Sequence, residues 1–145
     1  MIDLSPGDPT AYERMTAAVA HVSGYMGLLV LGPLLVYFWQ RDRSRFVAFH
    51  AVQAAVLHVL WVVLWLLAVA LVAVAGIGLA FFKSTGNDAL GCALAIFTGA
   101  MWLGMFAALA TWSIRGAWRA GHGSAVGVPL AGRIADRVVP KGFVR

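Results

Sequence analysis

Charge is what this chain has least of. Only 12% of its 145 residues are Asp, Glu, Lys or Arg, against about 25% in an ordinary soluble domain. Between Ala17 and Trp118 the charged residues are Arg41, Asp42, Arg43, Arg45, Lys83, Asp88 and Arg115. So few charges cannot cover a water-facing surface, and a soluble fold is excluded. One cysteine, Cys92, is present, so no disulfide can form within the chain and a thiolate metal cluster is excluded. No carboxylate falls inside any apolar run, which removes the usual means of a membrane proton relay or a carboxylate-bridged metal. Neither a phosphate-cradling glycine loop nor a nucleophile–base–acid set is present, and the reading is of a protein that is not an enzyme. The first residues, with Asp3, Asp8 and Glu13, lack the basic start of a cleavable signal peptide.

What is present is apolar length. Hydrophobic residues make up 61% of the chain and its mean hydropathy is +0.84. Runs of residues 17–39, 46–82 and 89–112 are separated by two short polar joints. The middle run is too long for one upright crossing, so residues 46–53 are expected to start as an amphipathic turn or two at the interface and residues 54–79 to cross. About 20 apolar residues in helix cross a hydrocarbon core of about 30 Å. The expected fold is therefore an all-α polytopic membrane protein with three transmembrane helices and a short C-terminal amphipathic interfacial helix. Its parts are a lead-in over 1–16, a membrane domain over 17–120 and a tail over 121–145. Pro33, inside the first run, predicts a kink there.

The basic residues set an orientation. With three crossings, Arg14 and Lys83 share one side, and Arg41, Arg43, Arg45, Arg115, Arg119, Arg133, Arg137, Lys141 and Arg145 share the other. The positive-inside rule puts the larger group in the cytoplasm. The expectation is a bacterial inner (plasma) membrane protein with its N-terminus outside and its C-terminus cytoplasmic. The net charge of +5 lies beside apolar runs, so it points to anionic lipid headgroups and not to nucleic acid. In the tail, Leu130, Ile134 and Val138 recur every fourth residue beside Arg133 and Arg137, with Pro129 suited to open a helix and Pro140 to close it. Such a helix either lies in the membrane interface or packs on the cytoplasmic ends of the spans.

Candidate residues fall into three groups. Arg41, Asp42, Arg43, Arg45, His50 and Gln53 form a joint at the headgroup level, in which His50 and Gln53 bond to the charged turn. Ser23, Gly27, Gly91, Ala95, Gly99 and Gly104 are small residues at helical spacing, expected to let helices approach closely within the monomer or between copies. His58 follows a small residue, Ala54, by one turn and shares a face with Trp61 and Trp65. That spacing suits a flat pigment or haem above an imidazole, or a histidine bonded to a neighbouring helix. His21 is placed near the outer end of the first span and His50 at the cytoplasmic interface, and His21 and His58 are not expected to meet. No cofactor is assigned.

Three segments read together resemble a known family. They are Ala20-His21-Val22-Ser23-Gly24 with Gly32-Pro33-Leu34-Leu35-Val36-Tyr37-Phe38-Trp39; Arg41-Asp42 with Phe46-Val47-Ala48-Phe49-His50 and Gln53-Ala54; and Gly123 with Pro129-Leu130 and Arg133-Ile134. The chain resembles the bacterial three-span membrane proteins related to the twenty-kilodalton subunit of the chloroplast Tic translocon. That resemblance implies a channel or protein-translocation component. From the residues themselves, the expected role is an accessory subunit that packs with other membrane proteins or with itself.

Overall fold

The structure, a computed structural model, describes residues 8–128 and 130–139. It holds five α-helices: α1 (Ala11–Val22), α2 (Leu31–Gln40), α3 (Arg45–Ser84), α4 (Asp88–Gly121) and α5 (Ala131–Val138). The chain divides into two compact units, one within Met1–Leu60 and Ala110–Arg145 and the other Trp61–Leu109. Among the described residues, α3 and α4 are the two helices long and apolar enough to cross a membrane.

The helix expected over 17–39 is not a single element. α1 has 12 residues and α2 has 10, about 18 and 15 Å at 1.5 Å per residue, and neither crosses a bilayer alone. Between them lie a tight 3-10 turn, Ser23–Met26, and two residues at positive φ, Gly27 at 86° and Leu29 at 43°. A left-handed residue cannot continue a right-handed helix, and glycine adopts it without a Cβ clash. The break is therefore at Gly27 and not at the expected Pro33. Pro33 sits in the first turn of α2, where its missing N–H has no helical partner to lose. The two helices pack against each other, with Gly32 against the Ser23 side chain.

The start of α1 is well determined. Thr10 caps it, its Oγ1 accepting from Glu13 N at 3.2 Å, while Thr10 N donates back to Glu13 Oε2 at 2.8 Å. This reciprocal pair satisfies two otherwise orphaned donors. The charged joint is a turn closed by the Arg43 and Ser44 amides, both donating to Gln40 O at 2.9 Å. Ser44 then caps α3 through Val47 N. Arg41 and Asp42 pair at 3.4 Å, and both are exposed, so the pair contributes about 0–1 kcal/mol.

The first unit closes around α3. Ala48, Phe49 and Val52 pack with Ala135 and Val139. Leu57 packs with Val128 and Ala131, and Ala17 and Ala120 join Phe46 and Val47. Alanine-sized contacts dominate because helices in lipid associate by close approach more than by hydrophobic transfer. α5 thus rests on α3 through Ala131, Gly132 and Ala135, the packed alternative for the tail. Its predicted apolar row faces away: Leu130 and Val138 are 61% and 48% exposed. The roles expected of Pro129 and Pro140 lie outside the described residues.

The second unit is a pair of antiparallel helical segments joined at Thr85–Asn87. Its turn ends α3 by two backbone bonds, Asn87 N to Phe82 O at 2.8 Å and Gly86 N to Lys83 O at 3.2 Å, a Schellman closure. Gly91 lies close to Leu79 and Phe82. Trp61 meets Phe106 edge-on, and Trp102 stacks on Phe106, each at 6.0 Å between ring centroids. Apolar side chains such as Ile77, Ile96 and Phe97 point outward. A helix that is apolar all round belongs in hydrocarbon.

Glu13 gives a pH test of the α1 cap. Partial burial alone would raise its pKa, but hydrogen bonds from Ser44 and from the backbone and hydroxyl of Thr10 outweigh it and hold the carboxyl below its ordinary value of 4.5. The unfolded chain then takes up the proton first. Glu13's contribution is full above pH 4.5 and is lost as pH falls through its lower folded value. Thermal unfolding in detergent should show that acid loss in the wild type and lack it in Glu13→Gln.

Candidate functional site

The buried polar groups of the first unit gather on one face of α3. His50 and Gln53, three residues apart, share a helix face. Both are fully buried, as is His21. His50 uses its two ring nitrogens in opposite directions. Its Nε2 lies 3.1 Å from Ser124 O, and a carbonyl oxygen can only accept, so Nε2 carries the hydrogen. In the neutral ring Nδ1 is then an acceptor, and it takes the Nε2–H of His21 at 3.3 Å. Gln53 Oε1 accepts from Val128 N at 3.2 Å. One turn of α3 therefore holds α1 with one hand and residues 124–128 with the other.

The backbone of the tail is shaped to be held. Gly123, at φ 74°, ends α4 through Ser124 N donating to Arg119 O at 2.9 Å and Gly123 N to Ala120 O at 3.0 Å. This closure turns the chain back and presents Ser124 O to His50. Further on, Gly127 and Gly132 touch through their backbones beside the Gln53 amide. A side chain at either would part α5 from the segment that precedes it.

Two histidine rings are fitted against glycines. A Cβ on Gly116 of α4 would lie 2.5 Å from His21 Cε1 and 2.7 Å from Nδ1. A Cβ on Gly24 would fall on the His58 ring itself. His58 Nδ1 donates to Ala54 O at 2.7 Å, within its own helix, and Tyr25 meets the ring edge-on at 5.6 Å. The His58 Nε2 is buried without a hydrogen-bond partner, and it faces the glycine backbone. A flat cofactor ligated there would need the space that Gly24 occupies, so the pigment or haem reading has no room.

The structure brings some predicted residues together and separates others. His21 and His50, expected at opposite ends of the first two spans, are hydrogen-bonded. His50 and Gln53 hold the 124–128 segment and not the charged turn. Arg41, Asp42 and Arg43 are exposed on that turn and Arg45 is partly buried. Ser23 packs on Gly32, Gly27 is a turn residue, and Gly91 is buried in the second unit. Ala95 is exposed, and open space surrounds Gly99 and Gly104. Gly24, Gly116, Ser124 and Val128 were not singled out from the sequence. Each depends on long-range packing, Gly24 on His58 and Gly116 on His21, which sequence spacing does not report. Among the described residues no group of three or more His, Cys, Asp or Glu is arranged to hold a metal ion.

Residues 12–135, from α1 into α5, match the model of the Magnetosome magnetite crystal formation protein family, MamF and MmsF. The chain belongs to this family. The match takes in every residue of the histidine cluster and both long apolar helices. It overturns the resemblance to the Tic translocon subunit; the segments that carried that resemblance all lie within the matched residues. No curated protein matches the chain, and no solved structure does. Magnetosome family proteins are membrane proteins, in agreement with the apolar helices.

The ring-on-glycine contacts can be tested by substitution. Gly24→Ala should destabilise the protein by about 1–3 kcal/mol through overpacking. Adding His58→Ala should recover much of that loss, since the obstructing ring is gone. Unfolding by denaturing detergent measures both, and a Gly24→Ala cost that persists in the double variant would show that the ring is not the obstacle.

Proposed function

We propose that this chain is a non-enzymatic membrane subunit that supports magnetite crystal formation from within the magnetosome membrane, packing with other membrane proteins or with copies of itself. The family match over residues 12–135 carries the reading. The distribution of polar groups favours an organising role over direct contact with mineral. The turn between α3 and α4 is short, and its hydroxyls already donate to backbone: Ser84 to Phe81 O at 2.7 Å and Thr85 to Phe82 O at 2.9 Å. Asp88 is the one carboxylate near that turn. The polar, basic unit built by α1, α2, α5 and the ends of α3 and α4 is the surface with structure to offer a partner.

The proposed topology has two crossings, by α3 and α4, with both ends of the chain in the cytoplasm. Support comes from the lead-in and the tail, since Pro9 and Arg14 lie beside Gly123. It also comes from charge, because every lysine and arginine except Lys83 then falls on the cytoplasmic side. A three-crossing arrangement with an outside N-terminus is the alternative. Reporter fusions separate them: both ends should report cytoplasm, whereas an N-terminal fusion active only outside restores three crossings.

For the function itself, the gene for this chain would be deleted in a magnetite-forming bacterium and the crystals measured by electron microscopy. Smaller or misshapen crystals, restored by the wild-type chain, are expected. Crystals unchanged in size and shape would overturn the reading.

A further inference from the structure

The helix α5 has two working faces, and one is already occupied. Ala131, Gly132 and Ala135 are buried and seat the helix on α3 between Ala48 and Leu57. Leu130 and Val138, on another face, are exposed, with Ile134 half-buried between them. Arg133 and Arg137 are exposed and stand one residue before Ile134 and Val138. Among the described residues neither arginine has an ion pair; the pair that does form is Arg41 with Asp42. The result is an apolar row edged by two unpaired guanidinium groups.

Where α5 sits decides what covers that row. α3 has 40 residues, about 60 Å of helix, while the hydrocarbon core needs about 30 Å. Its basic end therefore projects beyond the hydrocarbon. The contacts from Ala48 to Leu57 lie on the first turns of α3, beside its basic end. A row of Leu, Ile and Val edged by arginines suits the boundary between headgroups and acyl chains. Guanidinium matches phosphate oxygens in a bidentate fork.

We infer that the outward row of α5 is a binding site for anionic phospholipid, with Arg133 and Arg137 on the headgroup phosphates and Leu130, Ile134 and Val138 among the upper acyl carbons. The site extends the membrane reading and is independent of the role in crystal formation. The clasp of His50 and Gln53 on residues 124–128 holds the helix at this level, so a lipid bound to α5 bears on the same segment that the histidine pair secures.

The test uses the full chain in nanodiscs of phosphatidylcholine alone or of phosphatidylcholine with phosphatidylglycerol, and reads amide hydrogen exchange over residues 131–138. Anionic lipid should slow exchange by on the order of tenfold, less at high salt. Arg133→Gln with Arg137→Gln should abolish the difference between the two lipids while leaving exchange in phosphatidylcholine at the wild-type rate, which shows that the inner face still docks. Equal protection in the two lipids would overturn the proposal. Protection that follows the number of chains per disc and not the lipid would also overturn it, and would assign the row to a second copy.

Discussion

A single imidazole ties the first unit together. His50 lies on the helix that both other partners must touch, and each of its nitrogens has a different task. One accepts from His21 and fixes α1; the other donates to Ser124 O and fixes the tail. A neutral histidine is among the few side chains able to donate and accept along one line. Lysine or arginine would donate twice and leave a buried charge, and a carboxylate would accept twice. The residues around it follow from that requirement. Phe46 and Phe49 flank the ring, alanines let the helices come near, and glycines remain where the edges of the His21 and His58 rings meet backbone.

Membership in a magnetite crystal formation family gives this architecture a setting. The second unit is largely apolar, and the Ser84 and Thr85 hydroxyls at its turn bond to its own backbone. Structural complexity is concentrated in the basic unit, where one 40-residue helix carries contacts from two shorter helices and a returning tail. Such an arrangement suits a protein whose work is to stand in a membrane in a fixed shape.

Much of the helical content was legible because hydropathy is additive along a run. Residues 89–112 read as a long helix, and α4 contains them; residues 46–82 read as an interfacial turn or two followed by a crossing over 54–79, whereas α3 runs through both as one helix. The break at Gly27 was not legible, since Ser23–Val30 is nearly as apolar as its surroundings and hydropathy does not report φ. Pro33 drew the prediction to the wrong place, because a proline in a first turn is indistinguishable by composition from one in a helix interior. His50 and Gln53 were expected to bond to the charged turn, but the segment they hold lies 74 and 75 residues away in sequence, beyond what periodicity can reach. The small residues of α4 misled in another way: ladder spacing identified Gly91, which is buried, and equally Gly99 and Gly104, which have open space beside them. The family resemblance failed because it rested on a few short segments, whereas the family match extends over residues 12–135.

The bond from His50 to Ser124 joins residues 74 positions apart, and the whole of Trp61–Leu109 lies within that interval. A ribosome delivers α1, α2 and the start of α3 long before it delivers their last partner. Until then His50 has no carbonyl to donate to, and Val128, still unmade, cannot meet Gln53. Assembly of the basic unit must therefore wait for the hairpin of α3 and α4 to be synthesised, and residues 124–128, made after it, supply the latch that fastens the preceding helices.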